Sequence, residues 1–252
     1  TPNRHNIKIT LNKLILKLLA KQNVNPKPVT YIKKKKPTVL VIHEYFQEYH
    51  AMYRCYAPHL RSLGKDFNLI GLADEKVIDK KKRDIFSYIK AGNYDGMPFV
   101  NLVEIINKIK PDIIYYPSVG MRWWVVMLAN LRLAPIQLTS LGHPATTQSD
   151  VIDYIYVAGQ QGNLNEIYSE ITLTTPLYFE ADSHPLQNEF LEEQQIASQN
   201  GGFDKINIAI NAKVMKLSSR MFDVCHRLVK STEKEINFHF YPGEVGIYED
   251  GL

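Results

Sequence analysis

The sequence has 252 residues and a net charge of +4 at pH 7, and 45% of its residues are hydrophobic and 22% charged. These values are ordinary for a globular protein with a sizeable core, and they exclude an intrinsically disordered chain. The lysine and arginine clusters at residues 33–36 and 80–83 carry much of the positive charge. We interpret them as solvated loops, because a nucleic-acid-binding face needs a broader basic surface with interleaved aromatic residues.

Two further classes find no support in the composition. Cys55 and Cys225 lie far apart in predicted helices, which favours neither a zinc site nor a disulfide framework. No apolar run approaches the length of a membrane span, since lysines interrupt the longest N-terminal one. The chain starts at Thr1 without an initiator methionine, so we expect it to be processed or to be a piece of a longer protein.

The N-terminal region predicts one amphipathic helix followed by a linker. Leucine and isoleucine recur at helical spacing over residues 9–20, which gives a single apolar stripe. Such a helix either packs on the domain that follows or ends a preceding helical region. Residues 22–36, with two prolines and a lysine run, read as a linker.

From residue 37 onward, apolar strands alternate with helices. Strands are predicted at residues 38–42, 67–72, 112–116, 136–141 and 171–177, and helices at 49–63, 82–90, 100–110 and 123–130. Nearly continuous apolar strands that alternate with helices indicate a parallel sheet covered on both faces. The expected fold class is therefore α/β.

A second strand–helix–strand unit follows the first domain. After a connection at residues 181–204, the pattern predicts a strand at 206–210, a helix at 219–230 and a strand at 236–240. The sequence ends at Leu252, before a second doubly wound domain would be complete.

Three polar loops follow strands of the predicted sheet, at residues 43–50, 117–121 and 142–149. Because ligands bind outside the carboxyl ends of parallel strands, we expect these loops to meet in one site. His43 and Glu44 lack the HExxH spacing, and no Asp-x-Asp occurs, so we expect no metal.

The imidazole of His143 is the strongest catalytic candidate, because it can take up a proton near neutral pH or donate to a phosphate. The alternative is a histidine that caps its own loop. His50, at a predicted helix start, suits an anionic ligand, or it is a surface histidine. Thr146, Thr147 and Ser149 either hydrogen-bond sugar hydroxyls or cap the loop. Asp153 either orients His143 or the loop backbone, or it satisfies a neighbouring strand end.

Lys216 follows the first strand of the second unit, just before Ser218 and Ser219 begin a helix. This order aims an ammonium group and free helix N–H groups at one point, which predicts a phosphate site. The alternative is an exposed lysine near a helix cap. Trp123 and Trp124, next to an arginine, either stack on a sugar or belong to the core.

The segments HEYF at 43–46, FNLIGL at 67–72, YPSVGM at 116–121, LGHPATT at 141–147 and MKL at 215–217 occur in one order along the chain. Together they resemble the bacterial cytoplasmic N-glycosyltransferases that modify high-molecular-weight adhesins. These enzymes belong to glycosyltransferase family 41 and are relatives of the eukaryotic protein O-GlcNAc transferases. Family members are considerably longer than this sequence.

The resemblance implies a GT-B fold and an inverting, metal-independent transfer of a hexose from a UDP-sugar to a protein side chain. The donor is expected to be UDP-glucose or UDP-galactose, and the acceptor Asn in Asn-x-Ser/Thr of an adhesin. It implies that His143 and His50 line the acceptor cleft, and that Lys216, with Ser218, Ser219, Thr146 and Thr147, binds the nucleotide. A cytoplasmic location, without cofactor, nucleic acid or membrane span, is expected.

The implied organisation has four parts. Residues 1–36 are a helix and linker from a preceding helical region, 37–180 an N-terminal Rossmann-like domain, 181–204 a connection, and 205–252 the incomplete start of a UDP-sugar-binding domain. Two alternatives remain open: a catalytically incomplete fragment that acts as a binding module, and an O-linked (Ser/Thr) protein glycosyltransferase.

Overall fold

A computed structural model describes residues 5–78, 84–159, 164–175, 181–183, 186–189, 191–192, 205–212 and 214–241. The chain divides into two compact units, residues 1–187 and 188–252. The boundaries predicted at residues 36, 180 and 204 stay predictions, and most of the expected connection 181–204 lies outside the described residues.

The first unit is built on a seven-stranded sheet in the order β3-β2-β1-β4-β5-β6-β7, in which every neighbouring pair is parallel. Its strands are β1 Thr38–His43, β2 Asn68–Asp74, β3 Tyr88–Gly92, β4 Ile113–Tyr116, β5 Ile136–Ser140, β6 Tyr154–Ala158 and β7 Ile171–Thr175. Its helices are α1 Ile7–Lys21, α2 Ala51–Leu63, α3 Phe99–Ile109 and α4 Trp123–Leu128, with a 3₁₀ turn at Leu164–Glu166. The predicted edge strand near residue 171 is confirmed as β7.

Helices cover both faces of this sheet. Leu40 and Ile42 of β1 point into one core with α1, α3 and α4, whereas Val39 and Val41 point into a second core with α2. Alternate residues of a strand face opposite sides, so a sheet buried on both faces needs the unbroken apolar runs seen in the sequence.

Helix α1 packs on this domain. Ile15, Leu19 and Val24 are buried in the same core as Leu128 of α4. The structure shows the packing alternative for this helix, and the expectation that it comes from a preceding helical region stays a prediction. Among the described residues, no helix is long and apolar enough to cross a membrane.

The helix predicted at residues 82–90 is wrong, because Tyr88–Gly92 form strand β3 at the sheet edge. Phe86 is buried against Gly71 of β2, where a Cβ atom would lie 3.2 Å from its ring. Pairing and aromatic packing against β2 outweigh the helical tendency of the neighbouring lysine run. Residues 79–83, which began the predicted helix, lie outside the described residues.

The second unit contains the predicted strand–helix–strand pattern. Strands β8 (Lys205–Asn211) and β9 (Glu235–Tyr241) pair in parallel, and helix α5 (Ser219–Lys230) connects them after a 3₁₀ turn at Val214–Lys216. The rings of Phe222 and Phe240 lie 5.6 Å apart between helix and strand.

Candidate active site

Glu44, directly after β1, holds the loop that follows β4. Its side chain is fully buried and accepts hydrogen bonds from the Ser118 hydroxyl (2.6 Å) and from the backbone N–H groups of Gly120 (2.9 Å), Met121 (2.7 Å) and Arg122 (2.8 Å). Bonds to a carboxylate are stronger than neutral ones, so four of them fix the loop firmly to the end of β1.

The third loop joins the same edge. The carbonyl oxygen of Pro117 accepts from the Ser140 hydroxyl and from the N–H of Gly142, both at 3.0 Å. A Cβ atom at Gly142 would lie 2.6 Å from this oxygen and 2.5 Å from Met52 Cε, so only glycine fits there. The three loops therefore meet at the carboxyl edge of the sheet, as predicted.

His143 lines a cavity of about 200 Å³ at this edge. The cavity lies between α1, α4 and the loops after β4 and β5, and its wall includes Lys8, Asn12, Leu11, Val119, Gly120, Trp123, Thr147 and Ser149. A Cβ atom at Gly120, whose φ is +146°, would lie 2.7 Å from the His143 ring. The missing side chain at Gly120 thus makes room for the imidazole.

Partial burial and the positive charge of Lys8 lower the pKa of His143 below its ordinary value of 6.5, while Glu44 opposes this effect. The imidazole is therefore neutral at pH 7, the form that accepts a proton. Its catalytic role stays a prediction, but the geometry gives it a cavity and a suitable protonation state.

Thr146 and Thr147 lie inside the loop. The Thr146 hydroxyl donates to Glu170 at 2.8 Å, and both the N–H (2.7 Å) and the hydroxyl of Thr147 donate to the same carboxylate. Both threonines and Glu170 are buried. The contacts match the capping alternative for these hydroxyls, and nucleotide binding by Thr146 and Thr147 stays a prediction.

His50 caps helix α2. Its Nδ1 accepts a hydrogen bond from the N–H of Met52 at 3.1 Å, so in the neutral ring the proton sits on Nε2. The ring stacks on Tyr45 with centroids 4.8 Å apart, and the Arg122 guanidinium lies 4.7 Å from the centre of the same Tyr45 ring. The role of His50 in the acceptor cleft stays a prediction.

His43 is buried among aromatic rings. It is 1% exposed and stacks on Phe46 at 3.9 Å, and neither ring nitrogen has a hydrogen-bond partner among the described residues. Burial lowers its pKa to about 3, so the folded protein keeps this imidazole neutral.

We expect acid to destabilise the protein through His43. The unfolded chain binds the proton at the ordinary pKa of 6.5, whereas the folded chain binds it only near 3. The free energy of unfolding should therefore fall by about 1.4 kcal/mol per pH unit as the pH drops below 6.5. Urea unfolding at pH 7.5 and pH 5 should show a smaller pH dependence in His43→Leu than in wild type. His226→Gln, which changes an exposed histidine, should keep the wild-type dependence, and an unchanged dependence in His43→Leu would contradict the assignment.

Asp153 satisfies a strand end. It forms two bonds with the Arg132 guanidinium, at 2.7 and 2.8 Å, and accepts from the N–H of Gln137 in β5 at 2.8 Å. This is the second of the two alternatives for Asp153.

Trp124 is buried in the core, whereas Trp123 is 53% exposed beside the His143 cavity.

Lys216, Ser218 and Ser219 lie in the second unit, and all three are exposed at the start of α5. Among the described residues, Ser218 makes no side-chain capping bond to α5. The arrangement is compatible with a phosphate site, and nucleotide binding by these three residues stays a prediction. No group of three His, Cys, Asp or Glu side chains that could hold a metal occurs in the described part of the chain.

The sequence is 28% identical over 250 residues to UDP-glucose:protein N-beta-glucosyltransferase of Actinobacillus pleuropneumoniae serotype 5b (strain L20), which covers 96% of this chain. The protein of the same name from serotype 7 (strain AP76) is also 28% identical over 250 residues. The predicted resemblance to bacterial protein N-glycosyltransferases is confirmed. The chain spans 39% of the length of both curated relatives. No model of a known protein family matches the sequence.

Among solved structures, a point mutant of the O-GlcNAc transferase of Thermobaculum terrenum superimposes with a TM-score of 0.60 at 14% identity. The superposition covers 91% of this chain and 44% of that chain. The predicted α/β fold of GT-B type is thus confirmed.

Four residues of the candidate site were missed from the sequence. The sequence relates Glu44 only to a metal motif that it does not complete, although a carboxylate directly after a buried strand is well placed to bind a neighbouring glycine loop. Glu170 precedes an edge strand, and Lys8 and Asn12 lie on a helix more than 100 residues from the loop they contact. No local pattern marks the latter three, because only the fold brings them to His143.

Proposed function

We propose that this chain is part of an inverting, metal-independent glycosyltransferase that moves glucose from UDP-glucose to a protein side-chain nitrogen. The observation that carries the proposal is the neutral His143 in a cavity at the carboxyl edge of a parallel sheet. That site lies in a chain similar over 96% of its length to proteins named for this reaction.

The relatives' name supports inversion at the anomeric carbon. UDP-glucose is α-linked, and the product that the name states is β-linked. A single in-line displacement does this: the bond from the anomeric carbon to the acceptor nitrogen forms while the bond to UDP breaks. The acceptor nitrogen loses one proton, and UDP departs with the bonding electrons.

Groups in each of the two units, taken separately, match these requirements. His143 Nε2 or Nδ1 accepts the proton that the acceptor nitrogen releases, because its lowered pKa keeps the ring neutral at pH 7. His50, at the start of α2, lines the acceptor cleft. Lys216 and the N–H groups at the start of α5 neutralise the charge that develops on the diphosphate, in place of a divalent metal.

The acceptor is proposed to be Asn in Asn-x-Ser/Thr of an adhesin-like protein, and the reaction is proposed to occur in the cytoplasm. The decisive experiment incubates the longest natural protein that contains this sequence with UDP-[¹⁴C]glucose, acceptor peptides and EDTA. Label on an Asn-x-Thr peptide, but not on a Gln-x-Thr peptide, supports the proposal. Transfer to Ser or Thr instead would identify the O-linked alternative.

The 252-residue chain alone is expected to bind UDP weakly or not at all, because the described residues of its second unit supply Lys216 and the N-terminus of α5 within one strand–helix–strand pattern. The longest natural protein should bind UDP without a divalent metal. We expect the loss of the ribose and uracil contacts to cost several kcal/mol of binding free energy, and each 1.4 kcal/mol is about a tenfold loss of affinity. Calorimetry with UDP in EDTA measures both proteins.

Two outcomes of this calorimetry would contradict the proposal. Tight binding by the 252-residue chain would place the nucleotide elsewhere in the fold. Binding that requires magnesium or manganese would remove the metal-independent mechanism. A third outcome combines calorimetry with the transfer assay: if the natural protein binds UDP but transfers no glucose, the binding-module alternative is favoured.

A further inference from the structure

Two side chains of helix α1 form hydrogen bonds with the loop that carries His143. Lys8 Nζ donates to the carbonyl oxygen of Thr146 at 2.8 Å. Asn12 Nδ2 donates to the carbonyl oxygens of Thr147 (3.1 Å) and Gln148 (2.6 Å). Three consecutive carbonyl groups of the loop thus bind donors from one helix.

Asn12 is itself fixed in place. It is 8% exposed, and its Oδ1 accepts from Asn130 Nδ2 at 3.2 Å, at the end of α4. Its second acceptor, Gln148, has a φ of +54°, a left-handed conformation that is unfavourable for a residue other than glycine. The bond to the Gln148 carbonyl helps the loop to keep this conformation.

Glu170, at the start of β7, also holds the loop, because it accepts hydrogen bonds from the hydroxyl groups of Thr146 and Thr147. The loop is therefore bound through its carbonyl groups to α1 and through its threonine side chains to Glu170. His143 stands at the beginning of this held segment and lines the same 200 Å³ cavity as Lys8 and Asn12.

We propose that Lys8 and Asn12 are positioning residues of the candidate active site, which fix the 142–149 loop so that the His143 imidazole faces the cavity. The inference deepens the proposed function, because it rests on the proposed role of His143 in proton transfer. It also makes α1 a working part of the site, although the helix precedes the sheet in the sequence.

The charges around His143 give this arrangement a second consequence. Burial lowers the pKa of His143 most, and the positive charge of Lys8 in α1 lowers it further. The negative charge of Glu44, directly after β1, raises the pKa of His143. The negative charge of Glu170 partly offsets the burial that lowers the pKa of Lys8. The backbone N–H of Arg122 donates to Glu44, whereas the Arg122 guanidinium forms an ion pair with Asp95 at 2.9 Å. Removal of the Lys8 charge should therefore raise the pKa of His143.

The titration of His143 tests this directly in the 252-residue chain. NMR of the imidazole Cε1–H, assigned with His143→Gln, measures the pKa in wild type, Lys8→Met and Lys13→Met. Lys13 is an exposed lysine on the same helix and is the matched control. We expect the His143 pKa to rise in Lys8→Met and to stay at the wild-type value in Lys13→Met. No rise in Lys8→Met, or an equal rise in both variants, would overturn the inference.

Transfer by the longest natural protein provides the second readout. In Lys8→Met, the acid limb of the kcat/KM profile should move to higher pH, and Lys8→Arg should restore it. In Asn12→Ala, kcat should fall by up to about 100-fold through misplacement of the loop, with the KM for UDP-glucose unchanged. An unchanged kcat in Asn12→Ala would remove its positioning role. The two proposals can be told apart. If neither the wild type nor any variant transfers glucose, but the His143 pKa rises in Lys8→Met as expected, the proposed function is wrong and the effect of α1 on His143 is supported.

Discussion

Replacement of Glu44 by alanine should cost about 3 kcal/mol of the free energy of unfolding, because four donors would lose a charged acceptor, at about 1.5–3 kcal/mol for a donor that water cannot reach and less for the others. Those donors are the Ser118 hydroxyl and the N–H groups of Gly120, Met121 and Arg122. Urea unfolding of the 252-residue chain at pH 7.5 measures the loss. The same change should also displace His143, whose ring lies against Gly120.

Two variants make this test specific. Glu44→Gln keeps one carbonyl oxygen for the three N–H groups and an amide that can donate to Ser118, so its loss should be smaller than that of alanine. Glu104→Ala, which truncates an exposed glutamate on α3, should change the stability by less than about 0.5 kcal/mol. Equal stability of Glu44→Ala and wild type would show that the four bonds do not hold the loop.

The sheet could be predicted because its signal is local. The runs at residues 39–42 and 113–116 contain only apolar and aromatic side chains, and a strand buried on both faces needs that composition. The loops at the strand ends followed from topology, since parallel strands bring their carboxyl ends to one edge. The prediction was wrong at strand β3 because the charged residues before it are typical of a helix. Pairing with β2 and burial of Phe86 decide the structure there instead.

The candidate site was predicted in its position but not in its internal contacts. His143 was found because an imidazole beside Gly142 and Pro144 stands out in a strand-end loop. The role of Glu170 depends on a contact across 23 residues and that of Lys8 on a contact across 138, and neither separation leaves a periodic pattern. Threonines 146 and 147 illustrate the same limit, because their spacing allows a ligand contact or a cap equally well.

His143→Ala in the longest natural protein should lower kcat for glucose transfer by about 10²–10⁴-fold, the usual contribution of a general base. The imidazole is partly buried in a loop and forms little of the core, so the melting temperature should stay close to that of wild type. Initial rates with UDP-[¹⁴C]glucose and a thermal melt of the same preparation measure both quantities.

The pH profile separates catalysis from loop capping. Because the pKa of His143 lies below 6.5 in the folded protein, the neutral ring persists at pH 6.5, and wild-type kcat/KM should decline only at lower pH. In His143→Ala, the residual rate should lack this decline. His226→Ala, which removes an exposed histidine on α5, should keep both the rate and the profile of wild type. A His143→Ala protein that loses stability in proportion to activity would instead support a capping histidine. If the profile keeps its acid limb without the imidazole, another group accepts the proton.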